Sequence, residues 1–214
     1  MKEYPKTFGL DEAYLDQPCL AFYKYDGSNL RFEYSRKSKR WYKFGTRRRL
    51  FDKSDPDFGG AIPLFMDKYA EPLAKVFHDA KEWKSAEYMV VFAEFLGPHS
   101  FSGIHDAQKL KVENNDPKDL ILFDVDVHRR GFIPPREFVK RFGHLHTAEV
   151  VYDGTLTMDF FNEVRNGDKY KLNEGVMCKG GDNHSDFWMC KIKTLNYLNR
   201  LKEFFGNNWQ EHWE

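Results

Sequence analysis

Short segments rich in aromatic and β-branched residues recur along the chain and constrain its fold more than any other feature. They predict strands at Cys19 to Lys24, Leu30 to Ser35, Trp41 to Phe44, Tyr88 to Phe95, Leu120 to Val127, Glu149 to Tyr152, Gly175 to Lys179 and Trp188 to Ile192. Most of these segments follow one another through short turns, so we expect them to pair in antiparallel fashion. The sequence therefore predicts an α+β fold built on antiparallel sheets.

Three stretches predict helices beside these sheets. Residues Ile62 to Trp83 place apolar side chains near one helical face, and Pro72 is expected to kink or divide that helix. The stretch Pro135 to Phe142 begins with proline, and both this stretch and Thr194 to Phe205 end before a glycine, as helices commonly do.

The composition is incompatible with a disordered chain or a membrane span. Hydrophobic residues make up 41% and aromatic residues 17% of the 214 residues. The longest apolar runs, such as Tyr88 to Ala93, are far shorter than the roughly 20 residues that cross a bilayer, and the first residues lack a signal-peptide core. We expect a soluble, cytoplasmic protein with no membrane partner.

A basic segment lies inside a chain whose formal net charge is zero. Residues 31–50 contain nine basic residues and one acidic residue, a net charge of +8 that is balanced by −8 elsewhere. The basic residues alternate with Phe32, Tyr34, Trp41, Tyr42 and Phe44, a pattern that suits phosphate neutralisation with ring stacking on bases. A solvated, charged hairpin would show the same pattern.

Several common enzyme motifs are absent from the sequence, namely GxxxxGK[ST], GxGxxG, HExxH and GxSxG. The histidines His144 and His146 are expected on one strand face, where such a pair is more typical of a solvated strand end than of a metal site. The three cysteines show no CxxC spacing, so the sequence predicts reduced thiols rather than a zinc cluster or a disulfide framework.

The segment Tyr23 to Asn29 places a lysine and a carboxylate, Lys24 and Asp26, where a strand ends in a glycine turn. A lysine acts as a nucleophile only when its amine is neutral, and its reference pKa is near 10.4. Neighbouring cations or burial must therefore lower that pKa. Lys191 and Lys193 are candidate cations, because residues two apart project from the same face of a strand.

Six short motifs occur in a fixed order along the chain: Lys24 to Asn29, Gly45 to Arg48, Phe92 to Gly97, Leu122 to Val125, Asn173 to Lys179 and Lys191 to Lys193. This order resembles that of the covalent nucleotidyltransferases, the superfamily of polynucleotide ligases and mRNA-capping enzymes. The resemblance implies a ligase-type, ATP-grasp-like domain of antiparallel sheets flanked by helices. It would occupy residues 1–193, with a C-terminal helix and tail over residues 194–214 and no separate OB-fold.

The first motif distinguishes branches of that superfamily. Capping enzymes and most DNA ligases carry KxDGxR, whereas nick-sealing RNA ligases resemble Kx[DH]G[ST]N, and Asn29 matches the second form. The resemblance thus implies an ATP-dependent RNA ligase that joins 5′-phosphate and 3′-hydroxyl ends through a lysyl-AMP intermediate and an adenylylated 5′ end. Its partner would be RNA or RNA/DNA nicks, and its cofactors ATP and Mg²⁺ or Mn²⁺.

The resemblance also implies roles for single residues. Lys24 would attack the α-phosphate of ATP, and Lys191 and Lys193 would contact that phosphate. Glu174 would hold the metal, Glu94 would bind the ribose or the metal, and Phe123 would stack on adenine with support from Asp124. The ATP-binding set is completed by Asp26, Asn29 and Arg47, although Arg48 or Arg49 fits the arginine position if the register shifts. Glu174 is also expected to share a strand face with Val176 and Cys178.

Three other functions remain open on this sequence. A minimal ATP-dependent DNA ligase would share all the charging chemistry, and a capping guanylyltransferase would use GTP, although Asn29 disfavours it. A non-catalytic nucleic-acid-binding protein on the same scaffold would keep the basic segment without turnover.

Overall fold

The computed structural model describes residues 1–97, 100–101, 118–167 and 169–212, and it has the expected α+β architecture with two antiparallel sheets. One sheet has four strands in the order β10-β9-β1-β8, and the other has six in the order β4-β3-β2-β5-β6-β7. The strands are β1 Pro18–Lys24, β2 Ser28–Ser35, β3 Arg40–Thr46, β4 Leu50–Phe51, β5 Tyr88–Leu96, β6 Asp119–Val127, β7 Gly131–Phe132, β8 Val150–Thr155, β9 Gly175–Gly180 and β10 Trp188–Lys193.

Each sheet belongs to one of two compact units. The six-stranded unit contains Met1–Tyr4, Gly27–Ile133 and Glu137–Thr147, and the four-stranded unit contains Pro5–Asp26, Pro134–Arg136 and Ala148–Glu214. Strand pairing, rather than any shift in composition, separates the two units, and this explains why the composition does not mark a boundary.

The helices are α1 Ala61–Lys68, α2 Ala70–Asp79, α3 Pro135–Phe142, α4 Met158–Asn166, α5 Leu195–Phe205 and α6 Trp209–His212. Two of the predicted helices, α3 and α5, are confirmed. The third is divided, but at Tyr69 rather than at Pro72. Pro72 lies in the first turn of α2, where a backbone N–H has no partner within the helix and its loss costs little.

The four-stranded sheet packs one face against α4. Alternate residues of β1, β9 and β10 point to this face, and the core cluster contains Cys19, Ala21, Val176, Cys178, Cys190 and Ile192 together with Phe160 and Val164 of α4. The three cysteines are free, buried thiols, as expected. The residues that alternate with these core residues along β1, β9 and β10 project from the opposite face of the sheet.

The six-stranded sheet packs one face against α1 and α2. The Phe32 and Phe65 rings stack with centroids 3.9 Å apart, and Tyr34 meets Phe77 edge-on at 5.9 Å. The opposite face carries buried charged residues, and the N-terminal residues contact it. The Lys2 ammonium lies 2.7 Å from the Asp126 carboxylate, and the Arg31 guanidinium donates to the Lys2 carbonyl oxygen at 2.9 Å.

The expected strand placement of the two histidines is wrong. His144 and His146 lie in the turn that follows α3, and the His146 ring bonds the Asp119 carboxylate at 3.0 Å. A glycine directly after α3 ends the helix, and the chain turns there before β8 begins. In the part of the chain that the structure describes, no helix is long and apolar enough to cross a membrane.

Candidate active site

A row of three residues crosses the four-stranded sheet at one end. Lys24 of β1 pairs with Gly175 of β9, which pairs in turn with Lys193 of β10. Residues paired across strands share a face, so both lysines project from the face opposite the cysteine core. Gly175 has φ +152°, and a Cβ atom there would lie 2.0 Å from the Ile192 carbonyl oxygen. Only glycine fits between the two lysines.

Glu174 bonds both of these lysines. The Lys24 Nζ lies 2.9 Å from Oε2 of Glu174, and the Lys193 Nζ lies 3.0 Å from Oε1. The exposed fractions are 24% for the Lys24 side chain and 3% for that of Glu174, while 7% of the Lys193 side chain is exposed. The cluster is thus open to solvent mainly at Lys24.

The expectation that Glu174 shares a face with Val176 and Cys178 is wrong. Val176 and Cys178 belong to the core cluster, whereas Glu174 contacts the lysines of the other face. Glu174 precedes β9 rather than lying in it, and the positive φ of Gly175 turns the chain between them.

Burial and charge act against each other in this cluster. Burial alone would raise the pKa of Glu174, but the adjacent Lys24 and Lys193 ammonium groups outweigh burial and hold that pKa below its usual value. Burial lowers the pKa of Lys193; the Lys24 ammonium adds to this effect and the Glu174 carboxylate opposes it. The two positive charges of Lys24 and Lys193 are therefore both balanced by the single carboxylate of Glu174.

The N-terminus of α5 closes the cluster on one side. The Tyr197 hydroxyl donates to Asp26 Oδ1 at 3.0 Å, and the Lys193 Nζ lies 4.8 Å from the centre of the Tyr197 ring. Burial raises the pKa of Tyr197, and the charges of Glu174 and Asp26 add to that rise. The hydroxyl therefore stays protonated and serves as a donor. Asp26 thus belongs to the same cluster as Lys24.

Thr194 connects α5 to Glu174. Its hydroxyl accepts from the Tyr197 N–H at 3.1 Å and donates to the Asn173 carbonyl oxygen at 3.1 Å, while its N–H donates to the Glu174 carbonyl oxygen at 2.9 Å. Sequence reasoning missed Thr194 and Tyr197 as site residues. The available signal was a threonine N-cap placed directly after the last lysine motif.

Two further lysines share the face of Lys24. Lys191 pairs with Met177, which pairs with Phe22, and this is the next row of the sheet. Lys179 lies one row beyond, buried, with its Nζ 4.7 Å from the centre of the Phe22 ring. The predicted orientation of Lys191 and Lys193 toward one face is therefore confirmed, and Lys179 adds a lysine to which the sequence reasoning gave no role.

Asn29 and Glu94 are neighbours in the six-stranded unit, where β2 pairs with β5. Glu94 Oε1 accepts from the Gly27 N–H at 3.0 Å, and Oδ1 of Asn29 is buried with no hydrogen-bond partner among the described residues. A Cβ atom on Gly27 would lie 2.5 Å from the Phe95 carbonyl oxygen. The glycine after Asp26 therefore allows the chain to pass close to β5.

A β-bulge lies at Phe123. Phe92 pairs with Asp124 and Ala93 with Leu122, so Phe123 has no opposite residue and is half-buried between buried neighbours. Tyr4, which sequence reasoning missed, meets the Phe123 ring edge-on at 5.2 Å. Its hydroxyl donates to the Asp124 carboxylate at 2.5 Å.

The three consecutive arginines after β3 have different surroundings. Arg49 pairs with Asp55 and, at 3.7 Å, with Asp57, whereas Arg48 is exposed. Arg47 is half-buried and its Nε has no partner among the described residues. Burial and the Asp124 carboxylate raise the pKa of Tyr4, and the positive charge of Arg47 opposes this rise.

A divalent metal fits the donors that are present. Among the described residues, no group of three or more histidine, cysteine, aspartate or glutamate side chains could hold an ion by itself. Mg²⁺ is commonly held by one or two carboxylates together with waters and substrate phosphates. Glu174 is a buried carboxylate beside Lys24, whose side chain is partly exposed. It suits a metal that has few protein ligands.

No protein-family model matches the chain, and no curated protein sequence matches it. Solved structures of Naegleria gruberi RNA ligase do match. A variant with ATP and Mn gives a TM-score of 0.63 at 14% identity over 95% of this chain and 59% of that chain. A variant with AMP and Mn gives 0.62 at 13% identity, over 94% and 58%. The ligase with PPi gives 0.60 at 13% identity, over 95% and 58%.

The chain has the fold of an RNA ligase. This likeness confirms the ligase-type α+β fold that the motif order implies. The chain spans less than three fifths of the length of these three RNA ligase structures.

Proposed function

We propose that this protein is an ATP-dependent RNA ligase, which joins 5′-phosphate and 3′-hydroxyl ends through lysyl-AMP and an adenylylated 5′ end. The observation that carries the proposal is the cluster of Lys24, Glu174 and Lys193. Lys24 is the partly exposed member, and its amine ends beside a buried carboxylate and a second buried cation. Residues 1–193 would form the nucleotidyltransferase domain, followed by a helix and tail, whose last two residues lie outside the described part.

In the charging step, the Lys24 amine forms a bond to the α-phosphorus of ATP while the bond from that phosphorus to the β-phosphate oxygen breaks. Pyrophosphate leaves with the electron pair. The neutral amine gives one proton to solvent as the bond forms, and the phosphoramidate nitrogen keeps its other hydrogen. The Glu174 carboxylate bonds the Lys24 ammonium. Lys24 could therefore attack phosphorus only after Glu174 has released it and contacts another cation instead. Lys191 and Lys193 would then stabilise the charge that develops on the α-phosphate.

Mg²⁺ or Mn²⁺ would supply positive charge to the polyphosphate. Glu174 is the proposed carboxylate ligand of the metal, and Glu94 would bind the ribose or the metal. The remaining roles follow the geometry of the six-stranded unit. Phe123, which lies at the β-bulge, would stack on adenine. Arg47, whose Nε has no partner among the described residues, would donate to the ribose or to the incoming 5′-phosphate.

Asn29 and Asp26 complete the set. The Asn29 amide oxygen is buried and has no partner among the described residues, so it could accept a hydrogen bond from bound AMP or from a ligand near the 5′-phosphate. Asp26 holds Tyr197 and so keeps α5 against the lysine cluster.

Incubation with α-labelled ATP and a divalent metal tests the proposal. Wild-type protein should become labelled, and both Lys24→Ala and Lys24→Arg should lose the label, because a guanidinium keeps the charge beside Glu174 but cannot attack phosphorus. The matched control is Lys75→Ala, which removes an exposed lysine from α2 and should label normally. An unlabelled wild type would overturn the enzyme assignment.

Nicked duplexes with RNA or DNA at the 3′-hydroxyl side test the choice of substrate. Faster sealing of the RNA nick supports the RNA ligase. Equal sealing of an all-DNA nick would instead assign a minimal DNA ligase, and nucleic-acid binding that is indifferent to ATP and to Lys24 would assign a non-catalytic binding protein.

A further inference from the structure

The structure divides the nine basic residues of segment 31–50 into two classes. Four of them are held by other groups of the protein: Arg31 by the Lys2 carbonyl oxygen at 2.9 Å, Arg36 by the carbonyl oxygens of Phe77 at 2.7 Å and Ala86 at 2.8 Å, Lys43 by Glu33 at 3.2 Å, and Arg49 by Asp55. The other five are Lys37, Lys39, Arg40, Arg47 and Arg48. Within the described residues, none of these five forms an ion pair.

The five unpaired cations lie at opposite ends of β3. Lys37, Lys39 and Arg40 form the turn between β2 and β3 and its first paired residue, and all three are exposed; we call them the tip patch. Arg47 and Arg48 follow the other end of β3. At about 3.3 Å per residue, the seven steps from Arg40 to Arg47 cover roughly 23 Å.

Three acidic residues on the elements beside the β2–β3 turn form ion pairs with other cations. Asp79 at the end of α2 binds Lys75 at 2.9 Å, Glu82 binds Arg141, and Glu87 lies 3.9 Å from Arg129. The tip patch therefore keeps its full positive charge toward solvent, although the whole chain is formally neutral.

The aromatic residues of this segment do not form the stacking surface that the sequence suggested. Phe32 and Tyr34 are buried, and the Trp41 indole donates to the Ala70 carbonyl oxygen at 3.0 Å. Tyr42, the most exposed ring of the five, bonds Glu33 through its hydroxyl. Single strands are bound chiefly by stacking on several rings, so the segment suits the backbone of a duplex better.

We propose that the tip patch is a second phosphate-binding site, which contacts the backbone of an RNA duplex about seven base pairs from the 5′-phosphate that Arg47 would contact. The spacing follows from the distance along β3 and about 3.4 Å of duplex per nucleotide of one strand. This inference rests on the proposed RNA ligase function and adds to it a minimum length of duplex beside the nick.

The test compares a tip variant with a matched control. The tip variant is Lys37→Gln, Lys39→Asn and Arg40→Gln, where asparagine is chosen because Lys39 has φ +51°. The control is Lys140→Gln, Lys171→Asn and Lys202→Gln, which removes three exposed lysines, one of them also at φ +51°. Both variants change the net charge equally.

Binding to nicked RNA duplexes is measured over a salt series, with arms of five or of twelve base pairs on each side of the nick. For the long arms, the slope of log affinity against log salt should fall in magnitude by about 3 in the tip variant, at about 0.9 per phosphate contact. The short arms should show no such difference, and the control should bind like wild type.

Equal slopes for the tip variant and wild type on the long arms would overturn the inference, as would an equal loss on the short arms. Self-adenylylation with ATP is measured in parallel and should be the same in all three proteins. If wild type fails to adenylylate, the ligase function fails by that measurement, whereas the salt slopes report separately on the tip patch.

Discussion

Glu174 is the residue on which the site depends, because its two carboxylate oxygens hold two different lysines. The sequence predicted that Lys191 and Lys193 act as cations near Lys24, and Lys193 does share a carboxylate with it. The motif order named Glu174 as a metal ligand, but it did not predict that this carboxylate bonds both lysines, since Glu174 lies 150 residues after Lys24 and outside the strand. In the proposed mechanism, the contacts of Glu174 would therefore control when the Lys24 amine can react.

Glu174→Gln should destabilise the fold by about 3 kcal/mol at pH 7, because the amide leaves the buried Lys193 ammonium without a counter-charge. The folded pKa of Glu174 is lowered, so its contribution is complete above the ordinary carboxyl pKa of 4.5 and is lost as the pH falls through the lowered value. Urea unfolding should therefore show the gap between wild type and variant narrowing below pH 4.5.

The matched control for this substitution is Glu163→Gln on the exposed face of α4, where the carboxylate pairs with Lys169. It should change the unfolding midpoint little, since exposed ion pairs contribute little. If Glu174→Gln lowered the free energy of unfolding as little as Glu163→Gln does, the role assigned to the buried carboxylate would be contradicted.

At the scale of single elements, β9 sets the geometry of the site through its first residue. Gly175→Ala should cost about 2 kcal/mol or more, because the added methyl group meets the Ile192 carbonyl oxygen and the φ of +152° disfavours alanine. Self-adenylylation should fall in parallel, as the row of Lys24 and Lys193 is spread apart. Gly9→Ala is the control, with nothing within 4 Å of the added atom. Unchanged stability and labelling in Gly175→Ala would contradict this account.

The opposite face of the same strands makes a different prediction. Cys19, Cys178 and Cys190 are buried, and the neighbouring thiols together with burial raise the pKa of Cys178 well above its ordinary value. Because all three side chains are buried, a colorimetric thiol reagent should react with none of them in the native protein and with all three in denaturant. Rapid reaction of any thiol in the native protein would show that this face is open.

The elements differ in how far the sequence could predict them. Eight of the ten described strands were predicted because aromatic and branched residues mark them, whereas β4 and β7, of two residues each, were missed. Helix α3 was predicted from its proline and glycine ends. Helix α4 was missed although Thr157 caps its first turn and Gly167 follows its last residue, the same end signals that Thr194 and Gly206 give to α5. The break at Tyr69 depends on packing between α1 and α2, which local preferences around Pro72 do not contain.

At the scale of the whole molecule, the order of the motifs carried the most information. It predicted the ligase-type fold, which the RNA ligase structures confirm, although identity to them is only 13–14%. Composition and net charge gave little information about function, because acidic residues elsewhere in the chain balance the positive charge of segment 31–50. Tyr4 bonds Asp124 and Tyr197 bonds Asp26, both across long distances in the sequence. No local sequence pattern predicts these contacts.

The central claim is that Lys24 becomes covalently bonded to AMP. Protein incubated with ATP and a divalent metal is digested, and its peptides are mapped by mass spectrometry before and after mild acid. The account predicts one acid-labile AMP adduct, on the peptide that contains Lys24 and on that side chain. An adduct on any other residue, or none in a protein that still seals nicks with ATP, would contradict it.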